Sequence, residues 1–85
     1  MKLSELLYKY IVIPPDYSAI VGYTVDSNGN ISLRWTDENL EYAVYCTDQD
    51  VDVFEQDTSR GMFSIKDDDG ELSSFLALEE ANLDV

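Results

Sequence analysis

The sequence predicts an α+β fold: a small antiparallel β-sheet, a meander, with a short N-terminal helix and a second helix at the C-terminus. Three observations carry this. Leucines recur at helical spacing near the start, a β-hairpin signal spans 19–36, and a run rich in Leu, Ala and Glu follows residue 70. At 85 residues, 45% of them hydrophobic, the chain reads as one domain over 1–85 with material for a core.

Leu3, Leu6, Leu7 and Tyr10 share a helical face, and Pro14-Pro15 stops whatever precedes it. A short helix running into an extended Ile11-Val12-Ile13 follows. Ala19 to Val25 and Ile31 to Thr36 flank Asp26-Ser27-Asn28-Gly29-Asn30, a turn-forming cluster with Gly where positive φ is needed. In the second strand of this hairpin Ile31, Leu33 and Trp35 share one face, and Ser32, Arg34 and Thr36 the other.

Further strands are expected at Glu41 to Cys46, Asp50 to Phe54 and Met62 to Lys66. After Asp67-Asp68-Asp69-Gly70, Leu72, Phe75, Leu76 and Leu83 suit one face of a helix. A strand in which Leu72, Ser74, Leu76 and Leu78 alternate also fits, because Asp-Gly can close a hairpin. The expected core holds Leu3, Leu6, Leu7, Ile20, Leu33, Trp35, Phe54, Phe63, Phe75 and Cys46, with one or two of the six tyrosines exposed.

Charge is the most informative feature. Through residue 36, Glu5, Asp16 and Asp26 balance Lys2, Lys9 and Arg34; from 37 on, fifteen acids face only Arg60 and Lys66. All of the net charge of −13 therefore lies in the second part, in two blocks, Asp37 to Asp57 and Asp67 to Asp84, that contain no Lys or Arg. Crowding of like charges should raise carboxyl pKa values and make the fold gain stability from salt.

Several chemistries are disfavoured. The chain has no histidine, which removes Ser-His and Cys-His pairs and the usual zinc sets. Gly22, Gly29, Gly61 and Gly70 form no phosphate-binding loop. Counted as EF-hand glycines, Gly70 and Gly29 put Leu76 and Trp35 at the closing acid position, so neither loop is one. No enzyme and no cofactor are expected. One cysteine and no signal or spanning segment make the cytoplasm the default location, the host's for a phage protein. A field of this sign repels nucleic acid and anionic lipid, so neither direct nucleic-acid binding nor membrane binding is expected.

The partner class that remains is a basic nucleic-acid-binding protein or nuclease, met by a monomer or small homo-oligomer. Duplex DNA carries one charge per roughly 1.7 Å of axis, so thirteen charges match about 22 Å of duplex. Asp48, Asp50 and Asp52 are spaced by two and would line one face of a strand as a row of phosphate substitutes, or guard an edge strand against aggregation. The candidate contact set is Asp37, Glu38, Glu41, Asp48, Asp50, Asp52, Glu55 and Asp57, with Tyr42 and Tyr45 as aromatic anchors.

In length and acidity the chain resembles phage-encoded inhibitors of nucleic-acid enzymes as a class: anti-restriction proteins, anti-CRISPR proteins and the uracil-DNA glycosylase inhibitor. The resemblance is one of composition and carries no residue across. It implies a non-enzymatic DNA mimic. The alternatives are an immunity protein that neutralises a basic nuclease toxin, and an acidic adaptor or assembly subunit whose charge serves solubility.

Overall fold

The structure is a computed structural model that describes residues 1–14, 20–55 and 61–80. Among these residues the fold is mostly β: one short helix, α1 (Leu3–Lys9), then seven strands, β1 (Tyr10–Ile13), β2 (Gly22–Val25), β3 (Asn30–Asp37), β4 (Leu40–Thr47), β5 (Phe54–Glu55), β6 (Gly61–Lys66) and β7 (Leu72–Glu80). They form two antiparallel sheets, ordered β2-β3-β4 and β1-β7-β6-β5.

α1 forms because Leu3, Leu6 and Leu7 fall on one face and all three are buried. Seven residues are too few for a helix to be stable alone, so its order comes from this docking. Lys2 stands at its N-cap without a capping side chain; the cap arrives from residue 48.

The 19–36 hairpin is present as β2 and β3, but its first strand begins at Gly22, leaving Ile20 and Val21 outside it; Ala19 lies outside the described residues. Gly29 adopts φ +84° in its turn, a conformation that L side chains resist. β4 then pairs with β3 across a two-residue loop, with Ile31 opposite Cys46, Leu33 opposite Val44 and Trp35 opposite Tyr42. Glu38 (φ 48°) and Asn39 (φ 72°) form that loop, the pair of positive φ values that a type I′ turn requires.

The inward faces of both sheets and α1 share one core: Ile31, Leu33, Val44 and Cys46 from the first sheet, Val12, Phe63, Ile65, Phe75 and Ala77 from the second, and the three leucines. Phe63 stacks on Phe75, and Trp35 meets Phe75 edge-on at 5.6 Å between centroids.

Five expectations are corrected. A single meander gives way to two sheets, each with a three-strand meander; β1 adds to the second beside β7. Residues 72–80 form strand β7, with no C-terminal helix among the described residues; Leu83 lies outside them. The Asp67–Gly70 turn, with Gly70 at φ +86°, closes a hairpin onto β6, and alternation then buries Phe75 and Ala77. Burial of an aromatic outweighs the small helix preference of Leu, Ala and Glu. The leucine face considered for such a strand is the outer one, with Leu72 74% exposed.

The strand expected at Asp50 to Phe54 shrinks to Phe54–Glu55, because 48–51 is engaged with the N-terminus. Ile20 and Phe54 lie outside the core, at 70% and 55% exposure, and four of the five described tyrosines are exposed: Tyr8, Tyr23, Tyr42 and Tyr45.

Candidate acidic interface

The sheet register decides where the carboxylates go. Because Asp37 pairs with Leu40 and Asn30 with Thr47, the ends of β4 sit at opposite ends of the first sheet. The first acidic block is thereby divided. Asp37, Glu38 and Glu41 cluster at the β3–β4 turn, whereas Asp48 lies beside the β2–β3 turn, where its N–H donates to the Gly29 carbonyl at 2.9 Å. Of the other candidates, Asp52 and Glu55 are exposed. Asp57 lies outside the described residues.

The spacing-by-two row is not a strand face. Asp48 is half-buried and holds the start of α1: its Oδ1 accepts the Ser4 N–H at 3.0 Å and its Oδ2 the Ser4 hydroxyl at 2.7 Å. Leu3 N–H donates to the Gln49 carbonyl at 2.8 Å and Val51 N–H to the Met1 carbonyl at 2.9 Å. Asp50 pairs with Lys2 at 3.8 Å, with both side chains exposed. Of the three, only Asp52 shows no such engagement. The Ser4 N–H above all, then the Ser4 hydroxyl and the Lys2 charge, hold the Asp48 carboxyl below its ordinary pKa, the opposite of the rise expected from crowding.

A second acidic end is built from turns. Asp26 folds its carboxylate back over the hairpin, accepting from Asn28 N at 2.8 Å, Asn30 N at 2.9 Å and Asn30 Nδ2 at 3.3 Å. The Asn30 N–H leads in pulling this carboxyl below its ordinary range. Asp67 does the same in the β6–β7 turn, accepting from Asp69 N at 3.0 Å and Glu71 N at 2.9 Å. The second of these turns docks on β4, where Asp68 N–H donates to the Tyr45 carbonyl at 3.0 Å.

Asp26 and Asp68 line a shallow cleft of about 460 Å³ with Thr24, Ser32 and Tyr45. Tyr45, 54% exposed, presents its ring beside these carboxylates. Tyr42 instead points to the opposite face of β4, where it stacks on Trp35 at 5.7 Å. The Cys46 thiol is buried, and that burial pushes its pKa up, so it is an unreactive part of the core.

The arrangement suits cationic groups. Asp26 and Asp67 accept only from N–H groups and keep their negative charge, and Asp68 and Asp69 are beside them. Asp26, Asp68 and Asp69 had no place in the candidate set from sequence. The Asp-rich turns are legible locally, but only the β4 contact reveals that they share a surface. No described helix is long and apolar enough to cross a membrane. No family model, curated protein or solved structure matches this chain.

Proposed function

We propose that this chain is a non-catalytic cytoplasmic inhibitor that occupies the basic nucleic-acid-binding surface of a partner protein, as a phage-type DNA mimic does. The observation that supports it is the convergence of Asp26 and Asp68 on one cleft beside exposed Tyr45, with Asp69 on the adjoining turn. The molecule measures 30 × 30 × 28 Å. Thirteen net charges over that width compare with about 18 phosphates on the same length of duplex.

The immunity-protein reading draws on the same surface through Tyr45. An exposed aromatic among carboxylates suits an anchored, tight complex with one basic toxin better than diffuse mimicry.

The test immobilises the protein at low salt and challenges it with cell lysate, eluting with a salt step or with duplex DNA. Retention of nucleic-acid enzymes that duplex DNA displaces supports the mimic. Retention of a single nuclease that unrelated DNA leaves in place supports the immunity reading. If no basic protein is retained, both are wrong and the adaptor reading stands.

A further inference from the structure

β4 is an edge strand, with β3 on one side only. The Tyr45 carbonyl accepts a main-chain N–H from Asp68, outside the sheet, so the main-chain groups of Tyr45 point away from β3. Antiparallel pairing alternates by two, which puts the N–H and C=O of Ala43 and Glu41 on the same outer edge. Among the described residues these groups have no hydrogen-bond partner.

The Lys66 end of β6, beyond the reach of the short β5, is treated differently. There the Gln49 side-chain amide accepts from Lys66 N at 3.0 Å and donates to Lys66 O at 2.8 Å, standing in for a neighbouring strand. At Ala43 no side chain of the described residues does this. A groove of about 270 Å³ runs there instead, lined by Ala43, Val44, Tyr45 and Asp67 to Asp69.

We infer that the β4 edge at Glu41 and Ala43, up to Tyr45 whose carbonyl Asp68 already holds, receives an extended, basic segment of the partner, which adds to the sheet as a further strand. Main-chain hydrogen bonds would supply the affinity and the flanking carboxylates the choice of partner. The edge spans about 13 Å, four residue steps, between Glu41 at one end and Asp67 to Asp69 at the other. Lys or Arg on the incoming strand would meet acids at both ends. Charge excludes a second copy of this chain: pairing two such edges brings carboxylates against carboxylates in molecules of net charge −13. The inference rests on the proposed basic partner and specifies how that partner is held.

The probe is an acetylated, amidated nine-residue peptide of alternating Lys and Thr, added at low salt to the full 85-residue chain labelled with ¹⁵N. Saturating peptide should slow amide exchange at Glu41 and Ala43 by at least tenfold. Ala43→Pro removes an outward N–H that β3 does not use, so an edge proline is compatible with the fold and should weaken peptide binding at least tenfold without altering charge. Replacing Asp67, Asp68 and Asp69 together by Asn should weaken it severalfold.

Peptide binding with no protection at Glu41 and Ala43 would overturn strand addition while leaving a basic partner in place. No binding of the peptide would overturn strand addition as well; the lysate experiment judges the basic partner separately. A dimer of the chain that Ala43→Pro dissociates would assign the edge to a second copy instead. The exchange measurement uses the unmodified protein, so it decides the matter even if Ala43→Pro fails to fold.

Discussion

The Asp48 carboxylate grips Ser4 twice, through its main-chain N–H at 3.0 Å and its hydroxyl at 2.7 Å, across 44 positions of sequence. An N-terminal capping interaction is thus delivered from another part of the chain, to a helix whose own N-cap, Lys2, has no side-chain oxygen to offer. Asp48→Ala should lower stability by about 1–2 kcal/mol and Ser4→Ala by about 0.5–1.5 kcal/mol, read from urea midpoints. An unchanged midpoint in Asp48→Ala would show that the contact contributes nothing.

Acid should act through the same group. The folded pKa values of Asp48 and Asp26 lie below the ordinary carboxylate value. Their contribution is therefore fully present above the unfolded pKa, about 3.9, and is lost as pH falls through the folded value. Melting temperature should drop below about pH 4, and the drop should be shallower in Asp48→Asn. Parallel acid limbs in the two proteins would contradict this.

Self-repulsion gives a prediction about salt. With a net charge of −13, the isolated protein should melt at a higher temperature when about 0.1 M salt is added, where the Debye length is near 10 Å. A melting temperature that falls with salt would mean that favourable charge pairs outweigh the repulsion.

The β3–β4 turn leaves room for improvement. Glu38 occupies the left-handed region at φ 48°, which Asn tolerates far better than Glu. Glu38→Asn should raise stability by about 0.5–1 kcal/mol in thermal or urea melts, also relieving one charge of the local cluster. Destabilisation would indicate that the carboxylate makes a compensating contact.

Two aliphatic residues that the sequence places alike in the core should behave in opposite ways. Leu33 is fully buried, so Leu33→Ala should cost about 2–5 kcal/mol; Ile20 is 70% exposed, so Ile20→Ala should change stability by no more than about 0.5 kcal/mol. Equal losses from both would mean that Ile20 packs against something in solution.

What the sequence made legible was local. The Leu3-Leu6-Leu7 stripe, the alternation of Ile31, Leu33 and Trp35 and the Gly29 turn each carry their signal within a few residues, and each matches the structure. The β7 strand was misread because Leu, Ala and Glu favour a helix in isolation, while the deciding contacts of Phe75 with Phe63 and Trp35 lie far away in sequence. The Asp48-Asp50-Asp52 spacing suggested a strand face for the same kind of reason. Nothing around Asp48 announces that Ser4 will claim it. Equally, no local pattern brings Asp26 to Asp68; that meeting is a product of the Asp68–Tyr45 contact.

The place of β1 has a consequence for the order of events during synthesis. Val12 lies opposite Ala77 and Ile13 opposite Leu76, so β1 finds its partner in a strand made about sixty residues later, the last of the described ones. The β2-β3-β4 meander, by contrast, joins near neighbours and can pair as soon as it leaves the ribosome. Until β7 emerges, Val12 waits without the neighbour that helps to bury it, while the acidic stretch from residue 37 on is being added. In this condition β1 is an unpaired apolar strand while negative charge accumulates from residue 37 on, and like charge opposes association between chains whose second sheet still lacks β7.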